Sequence, residues 1–464
     1  MATISQQLSE AIHGMTFEDL PAEVVQEAKA RLLDFIAVTV PAWDREQPAK
    51  IAAEYAKKYG GPEEATVFTV GTRVSAHMAA FANGVAGHCL ELDDDHNTMV
   101  GHPGVPVLPA VIAAGERVGA NGKQLLLGTT IAYDVVNRTA MAVRAGVLHG
   151  KGFHPTGTNG AFGATAGAAK MLGLSAAQIM NAFGICGSQS SGLIQGTDEG
   201  VWTKRFNPGW AAHNGVTSST LAQMGFTGPT EVFEGRHGWY NAYAGAGTFD
   251  LNQILDEWGK RFEITLTSWK PYACNRYSHG PIDCAFDIRR QMGGSVNPDE
   301  IERVEVLTFA EALPFTAEPY EVKVKPRNTV DSQFSTYYAV AVSLLTGRAL
   351  LDEFSDDMIR NPEVLGLAAK VTIGVDPELQ KLYPKLYPAR VVVHMKDGRR
   401  FEHMVRTPKG DPEWNLTREE LEERFRTLAS RVFDDARVEQ ILKTIDNLED
   451  LTDTRELTKL CVRG

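Results

Sequence analysis

The chain has 464 residues, of which 43% are hydrophobic and 22% charged, and its formal net charge is −12. That length exceeds one ordinary core, so two domains are expected, and the composition excludes a disordered chain. An acidic surface repels phosphate backbones and disfavours nucleic-acid binding, so any anionic ligand must be caught by a local basic pocket.

The N-terminal residues hold neither a basic segment nor an apolar run, so no secretory signal is expected. No apolar stretch approaches the roughly 20 residues of a membrane span. Residues 22–40 place Val24, Ala28, Leu32, Phe35 and Ile36 on one face, which is helical period. Further helices are expected at 46–59, 74–91, 106–119, 122–143, 158–172, 176–193, 209–224 and 251–257, many of them rich in Ala and Gly. Near 260 the pattern changes. Residues 261–272 look extended, 279–292 helical, and 301–309 and 368–374 alternate like strands. Residues 389–405 form two alternating runs around Asp397-Gly398, a hairpin signal. A helix is expected at 331–347. Beyond 416 the helical period returns behind a capping box at Thr417 and Glu420, with another helix at 435–446.

These elements predict a mainly α protein: a large all-helical domain, residues 1–262 and 408–464, with an inserted smaller α+β lid domain, 263–407, containing an antiparallel sheet. The junctions between the two would form a cleft, a favoured place for a small ligand.

Four clusters could carry chemistry. His88 to His96 includes Glu91, Asp93, Asp94 and Asp95, followed by His102. It reads as a carboxylate group holding a base, as a magnesium site through Asp93, Asp94 and Asn97, or as a solvated helix end. Residues 152–160 place His154 before a small-residue helix, where unpaired N–H groups favour anions. The alternative is an ordinary polar turn. Lys204 and Arg205 lie between Trp202 and Trp210, and a buried Lys requires an acid or an anionic ligand. Residues 269–279 hold Lys270, Asn275, Arg276 and His279 at the expected domain junction, which suits carboxylate recognition. The bland readings are an exposed cation pair and a polar linker. Five scattered cysteines, Cys89, Cys186, Cys274, Cys284 and Cys461, include no CxxC pair. They read as reduced thiols of a cytoplasmic protein and give no support to a zinc or iron–sulfur site. No nucleophile elbow and no Walker A motif occurs.

Taken in order, these clusters resemble the MmgE/PrpD family. The resemblance is carried by LELDDDH…GHPGVPVLPA (90–110), GFHPTGTNGAFGATAGAAKMLGL (152–174), KRFNPGWAAHNGVTSSTLAQMGFTGP (204–229) and KPYACNRYSH (270–279), and it spans nearly the whole chain. It implies a helical domain with an α+β lid, a homodimer, and no metal or organic cofactor. Without a second aspartate-rich motif, it leaves the magnesium reading little support. It implies Glu91, Asp93, Asp94, His102 and His154 as catalytic residues, and Lys204 and Lys270 as anchors for substrate carboxylates. Asp95 falls where the family has Thr and Asn275 where it has His, and His279 matches a later family His. Asp95, Arg205, Asn275, Arg276 and His279 complete the expected substrate-binding set.

The implied function is a cofactor-independent enzyme moving a proton next to a carboxylate of a small di- or tricarboxylic acid. A dehydratase of the 2-methylcitrate type is the first expectation and an epimerase of a dicarboxylate such as iminodisuccinate the alternative. A cis-aconitate decarboxylase stands behind them, because an added carboxylate at 95 repels a third substrate carboxylate. A non-enzymatic helical scaffold is the remaining reading, and it requires that the histidines and lysines do not converge.

Overall fold

The computed structural model describes residues 2–144 and 146–464. Small residues decide how its first half packs. Helix α1 (Ala22–Thr39) is buried along nearly its whole length. Behind it lie α2 (Ala76–Gly87), α3 (Gly104–Val118), α4 (Gly122–Met141), α5 (Gly160–Met171) and α6 (Thr203–Gln223). Helix α5 touches α3, α4 and α6, and α6 also crosses α2. At that crossing a Cβ on Gly84 would lie 2.8 Å from the Gly209 Cα, so only a residue without a side chain lets the two backbones approach. Helix α6 starts at Thr203, earlier than the periodicity suggests, and runs through Pro208. A proline this close to the helix start leaves only one carbonyl without its helical partner, and Lys204, Arg205 and Asn207 are therefore inside the helix.

The expected helix at 251–257 is a short 3-10 turn, Leu251–Ile254. The second half contains α7 (His279–Gln291), strands β1 (Ile301–Thr308), β2 (Val371–Val375), β3 (Ala389–Met395) and β4 (Arg400–Val405), and between the first two strands α8 (Thr336–Thr346). The sheet order is β2-β1-β3-β4. The pairs β1–β3 and β3–β4 are antiparallel, but β2 lies parallel to β1. The expected antiparallel sheet is thus corrected to a mixed one. The long helical connection between β1 and β2 carries the chain back to its starting end, which is how a parallel neighbour is made. The β3–β4 turn is at Asp397-Gly398, with Gly398 at φ 88°. The single helix expected at 331–347 breaks into Thr329–Gln333 and α8, with Ser335 capping α8 through Tyr338 N. That break sends Gln333 and Phe334 toward the first half.

Helices α9 (Arg418–Ala429) and α10 (Asp435–Asp446) return to pack on α1. From α9, Arg424 donates to Asp34 at 2.9 Å, to the Lys270 carbonyl at 2.6 Å and to the Leu92 carbonyl at 2.7 Å. One guanidinium thus joins α1, the acidic loop and the basic segment. Among the described residues, no helix is long and apolar enough to cross a membrane.

Candidate active site

Helix α2 ends at Gly87, and the loop to α3 carries the acidic cluster. Glu91 adopts φ 54° there, a left-handed conformation costing a non-glycine residue about 1–3 kcal/mol unless its surroundings hold it. Three cations hold it. Its carboxylate meets Lys204 Nζ at 2.5 Å, Lys270 Nζ at 3.1 Å and the Arg205 guanidinium, all buried. Burial pushes the Glu91 carboxyl up, but Lys204, Lys270 and Arg205 outweigh it and leave it well below the usual carboxylate range. Burial brings Lys204 down to about 8, with Glu91 working against the fall. Lys270 moves the other way, because Asp93, Glu91 and Asp95 together outweigh its burial.

The backbone that delivers Lys270 is threaded between partners. Ser268 and Asp95 exchange main-chain hydrogen bonds of 2.6 and 3.0 Å. Trp269 N donates to the Gly410 carbonyl, and the Arg31 guanidinium stacks 3.5 Å over the Trp269 ring. Arg276 pairs with Asp411.

Three histidines converge above these ions. The ring centroids of His88 and His102 are 4.8 Å apart, those of His88 and His154 6.0 Å, and those of His102 and His154 6.3 Å. His88 Nδ1 is 2.8 Å from Asp93, and its Nε2 accepts from Lys204 Nζ at 3.0 Å. His102 Nδ1 is 2.9 Å from the Asp94 carbonyl and 3.3 Å from Asp93. His154 Nδ1 is 3.1 Å from Asn207 Nδ2. Burial, then nearby lysines, hold His102 and His154 well below the ordinary histidine range.

His102, His154, Lys204, Asp95, Asn275 and Arg276 line one narrow cavity of about 50 Å³, together with aromatic rings that include Phe334 and Tyr387. A larger outer cavity of about 470 Å³ shares Thr197 and Phe315 with it and offers an approach. Two guanidinium nitrogens of Arg276, Nε and Nη1, are buried without a hydrogen-bond partner among the described residues. Burial pushes the Asp95 carboxyl up to about 7.

The expected residues thus fall into groups. Glu91, Asp93, Lys270 and Arg205 form a buried ion cluster beneath the cavity. Asp94 turns elsewhere, accepting from Gly104 N at 2.9 Å and Tyr133 Oη at 2.6 Å. It caps α3, and it reaches the histidines only through its main-chain carbonyl. His279 is buried, with Nε2 3.3 Å from the Cys274 carbonyl and its ring beside Tyr272, and it does not line the cavity. His88 and His149 were outside the expected set. The signal for His88 was its place in the same acidic run, three residues before Glu91. His149, which lines the cavity, had no comparable signal.

Asp93 and Asp94 take different partners and do not converge as a magnesium motif requires. Ring nitrogens of His88, His102 and His154 lie within 4.8 Å of one another, a spacing open to a metal ion. However, the Lys204 ammonium already occupies the His88 nitrogen and repels a second cation.

Residues 6–252 match the model of the MmgE/PrpD N-terminal domain, and residues 272–450 that of the MmgE/PrpD C-terminal domain. The chain is 30% identical to a cis-aconitate decarboxylase-like protein of Aspergillus oryzae, over 95% of this chain and 94% of that one. It is 28% identical to the cis-aconitate decarboxylase of Homo sapiens, over 99% and 95% of the two chains. It is also 28% identical to that of Aspergillus terreus, over 98% and 95%.

Proposed function

The chain belongs to the MmgE/PrpD family and is a lyase of it, and from that premise we propose that it breaks a bond next to a carboxylate of a small polycarboxylate. The observation that carries this reading is the convergence of His102, His154, Lys204 and Arg276 on one narrow cavity. A cavity walled by buried side chains strengthens the hold of fixed cations on the charge that develops as the bond breaks. Lys204 and the two unpartnered nitrogens of Arg276 bind substrate carboxylates, and His102 and His154 move the protons. Lys270 supports Lys204 from beneath through Glu91.

Two bond cleavages fit. In decarboxylation of an unsaturated tricarboxylate, the C–C bond electrons pass into the adjoining double bond, carbon dioxide leaves and carbon takes a proton. The names of the relatives favour cis-aconitate as that substrate. In dehydration, a base takes the carbon-bound proton and an acid protonates the departing hydroxyl, which leaves as water. Asp95 favours this second reading. Burial pushes its carboxyl up to about 7, so in its protonated form it supplies another proton to a leaving hydroxyl.

An NMR assay in deuterated solvent over cis-aconitate, 2-methylcitrate, citrate, tartrate and iminodisuccinate distinguishes them. Itaconate with carbon dioxide identifies the decarboxylase, and an alkene with water identifies the dehydratase. Deuterium uptake without net conversion identifies an epimerase. A folded protein that neither converts nor exchanges any of these acids refutes the reading.

A further inference from the structure

We propose that Asn207 fixes the direction of proton transfer: it holds the His154 ring with its proton on Nε2, making His154 the donor and His102 the acceptor across the cavity. This rests on the proton-transfer reading of the same site and supplies the acid and base that reading leaves unassigned.

Asn207 lies in the second turn of α6 and is 5% exposed. Its Nδ2 is 3.1 Å from the Leu193 carbonyl and 3.1 Å from His154 Nδ1. A carbonyl oxygen only accepts, so the amide atom facing Leu193 is the NH2 group. The second hydrogen of that group then points at His154 Nδ1, which must accept it. A neutral imidazole accepting at Nδ1 carries its proton on Nε2. Turning the amide over would set its oxygen against the Leu193 oxygen, two acceptors face to face.

The frame leaves Asn207 little freedom. A Cβ on Gly192 would lie 3.3 Å from the Asn207 Cγ, and one on Gly157 would lie 3.2 Å from its Cβ. The acceptor and the ring it orients are also tied together. Phe153 and Leu193 form an isolated antiparallel bridge, and His154 N donates to the Gly192 carbonyl at 3.0 Å. The Leu193 oxygen and the His154 ring therefore keep their relation to each other.

His102 is set the opposite way. Its Nδ1 faces the Asp94 carbonyl at 2.9 Å, so the proton is on Nδ1 and the Nε2 lone pair is free to take one. Both rings are kept neutral near pH 7 by burial first, and then by Lys270 and Lys204 at His102 and by Lys204 at His154, so their tautomers decide which gives and which takes. In dehydration, the C–H proton passes to His102 Nε2 and the His154 Nε2 proton passes to the hydroxyl, which leaves as water. In decarboxylation, the His154 proton passes to carbon as carbon dioxide leaves. After turnover solvent restores the donor's proton and, in dehydration, takes the acceptor's.

The test is the histidine tautomer, read by two-bond proton–nitrogen correlation on protein labelled with nitrogen-15 histidine. The signals are assigned by their loss in His154→Gln and His102→Gln. The expected result is an Nε2–H ring for His154 and an Nδ1–H ring for His102. Asn207→Asp replaces the donor with an acceptor. It should move the His154 proton to Nδ1 and lower kcat about 10-fold or more, with KM changed about threefold at most. An Nδ1–H His154 in the unaltered protein overturns the proposal, as does an Asn207→Asp enzyme with unchanged kcat. Should that variant not fold, the unaltered protein's spectrum decides alone. Loss of this polarity would leave the site reading standing, whereas full activity in Lys204→Ala and His102→Ala would remove the site itself.

Discussion

On the floor of the cavity Glu91 meets Lys204, Lys270 and Arg205, while on its wall Arg276 leaves Nε and Nη1 without a hydrogen-bond partner among the described residues. Both regions are buried and both mix acids with cations. The floor is a set of ion pairs centred on Glu91, so it sets geometry, and of its cations only Lys204 also lines the cavity and can reach a ligand. The wall has unspent donors and neutral rings, so it can receive one. Buried charges therefore do not mark a binding site by themselves. What marks it is the part of the charge that the protein does not itself neutralise.

The sharpest way to break this comparison is Glu91→Gln. It takes the shared carboxylate from three buried cations, and removing one partner of a buried pair costs about 3–5 kcal/mol. Urea denaturation should show a loss of that order, and a loss below about 1 kcal/mol would make the floor no different from a surface ion pair. Next in size is His102→Ala, expected to lower kcat about 100-fold or more with an unchanged urea midpoint. A parallel loss of stability would move His102 from the wall to the floor. Arg276→Lys comes third. The point charge survives but the two free planar donors do not, so KM should rise about 10-fold for a hydrogen bond to a charged group lost in a buried site. An unchanged KM would show that Arg276 serves Asp411 rather than substrate.

The smallest effect is a pH dependence. The folded Asp95 carboxyl titrates at about 7 against an ordinary 3.8, so the folded state holds more protons between these values. Its contribution to stability is present in full below 3.8 and is lost as pH rises through about 7. Asp95→Asn should therefore flatten the fall in stability over that window. If the slopes of the variant and the unaltered protein coincide there, Asp95 is not held in the neutral form.

Much of the helical half was legible because Ala/Gly-rich stretches with helical period can pack only one way, backbone against backbone. The Asp397-Gly398 hairpin and the Thr417 capping box were equally local signals, and both appear where the sequence places them. The parallel pairing of β2 with β1 was not legible, since it depends on where a connection of some sixty residues returns. At the site, the acidic loop and the lysines were found by chemical type, but Asp94 and Asp93 look alike in sequence. Only the position of Gly104 N and Tyr133 separates the helix cap from the member of the ion cluster. His279 was misplaced for the same reason: a histidine at a junction can face the cavity or Tyr272, and spacing does not say which.

The sequence by itself determined the residue types, the helical period and the family, because each is written in neighbouring positions or in the order of motifs along the chain. The tertiary structure decided which charges are already paired, which nitrogens remain free, and on which nitrogen each ring carries its proton. Those properties depend on partners as far apart in sequence as Glu91 and Lys270. A hydrogen bond reaches about 3 Å, so only the completed fold brings such partners within its range.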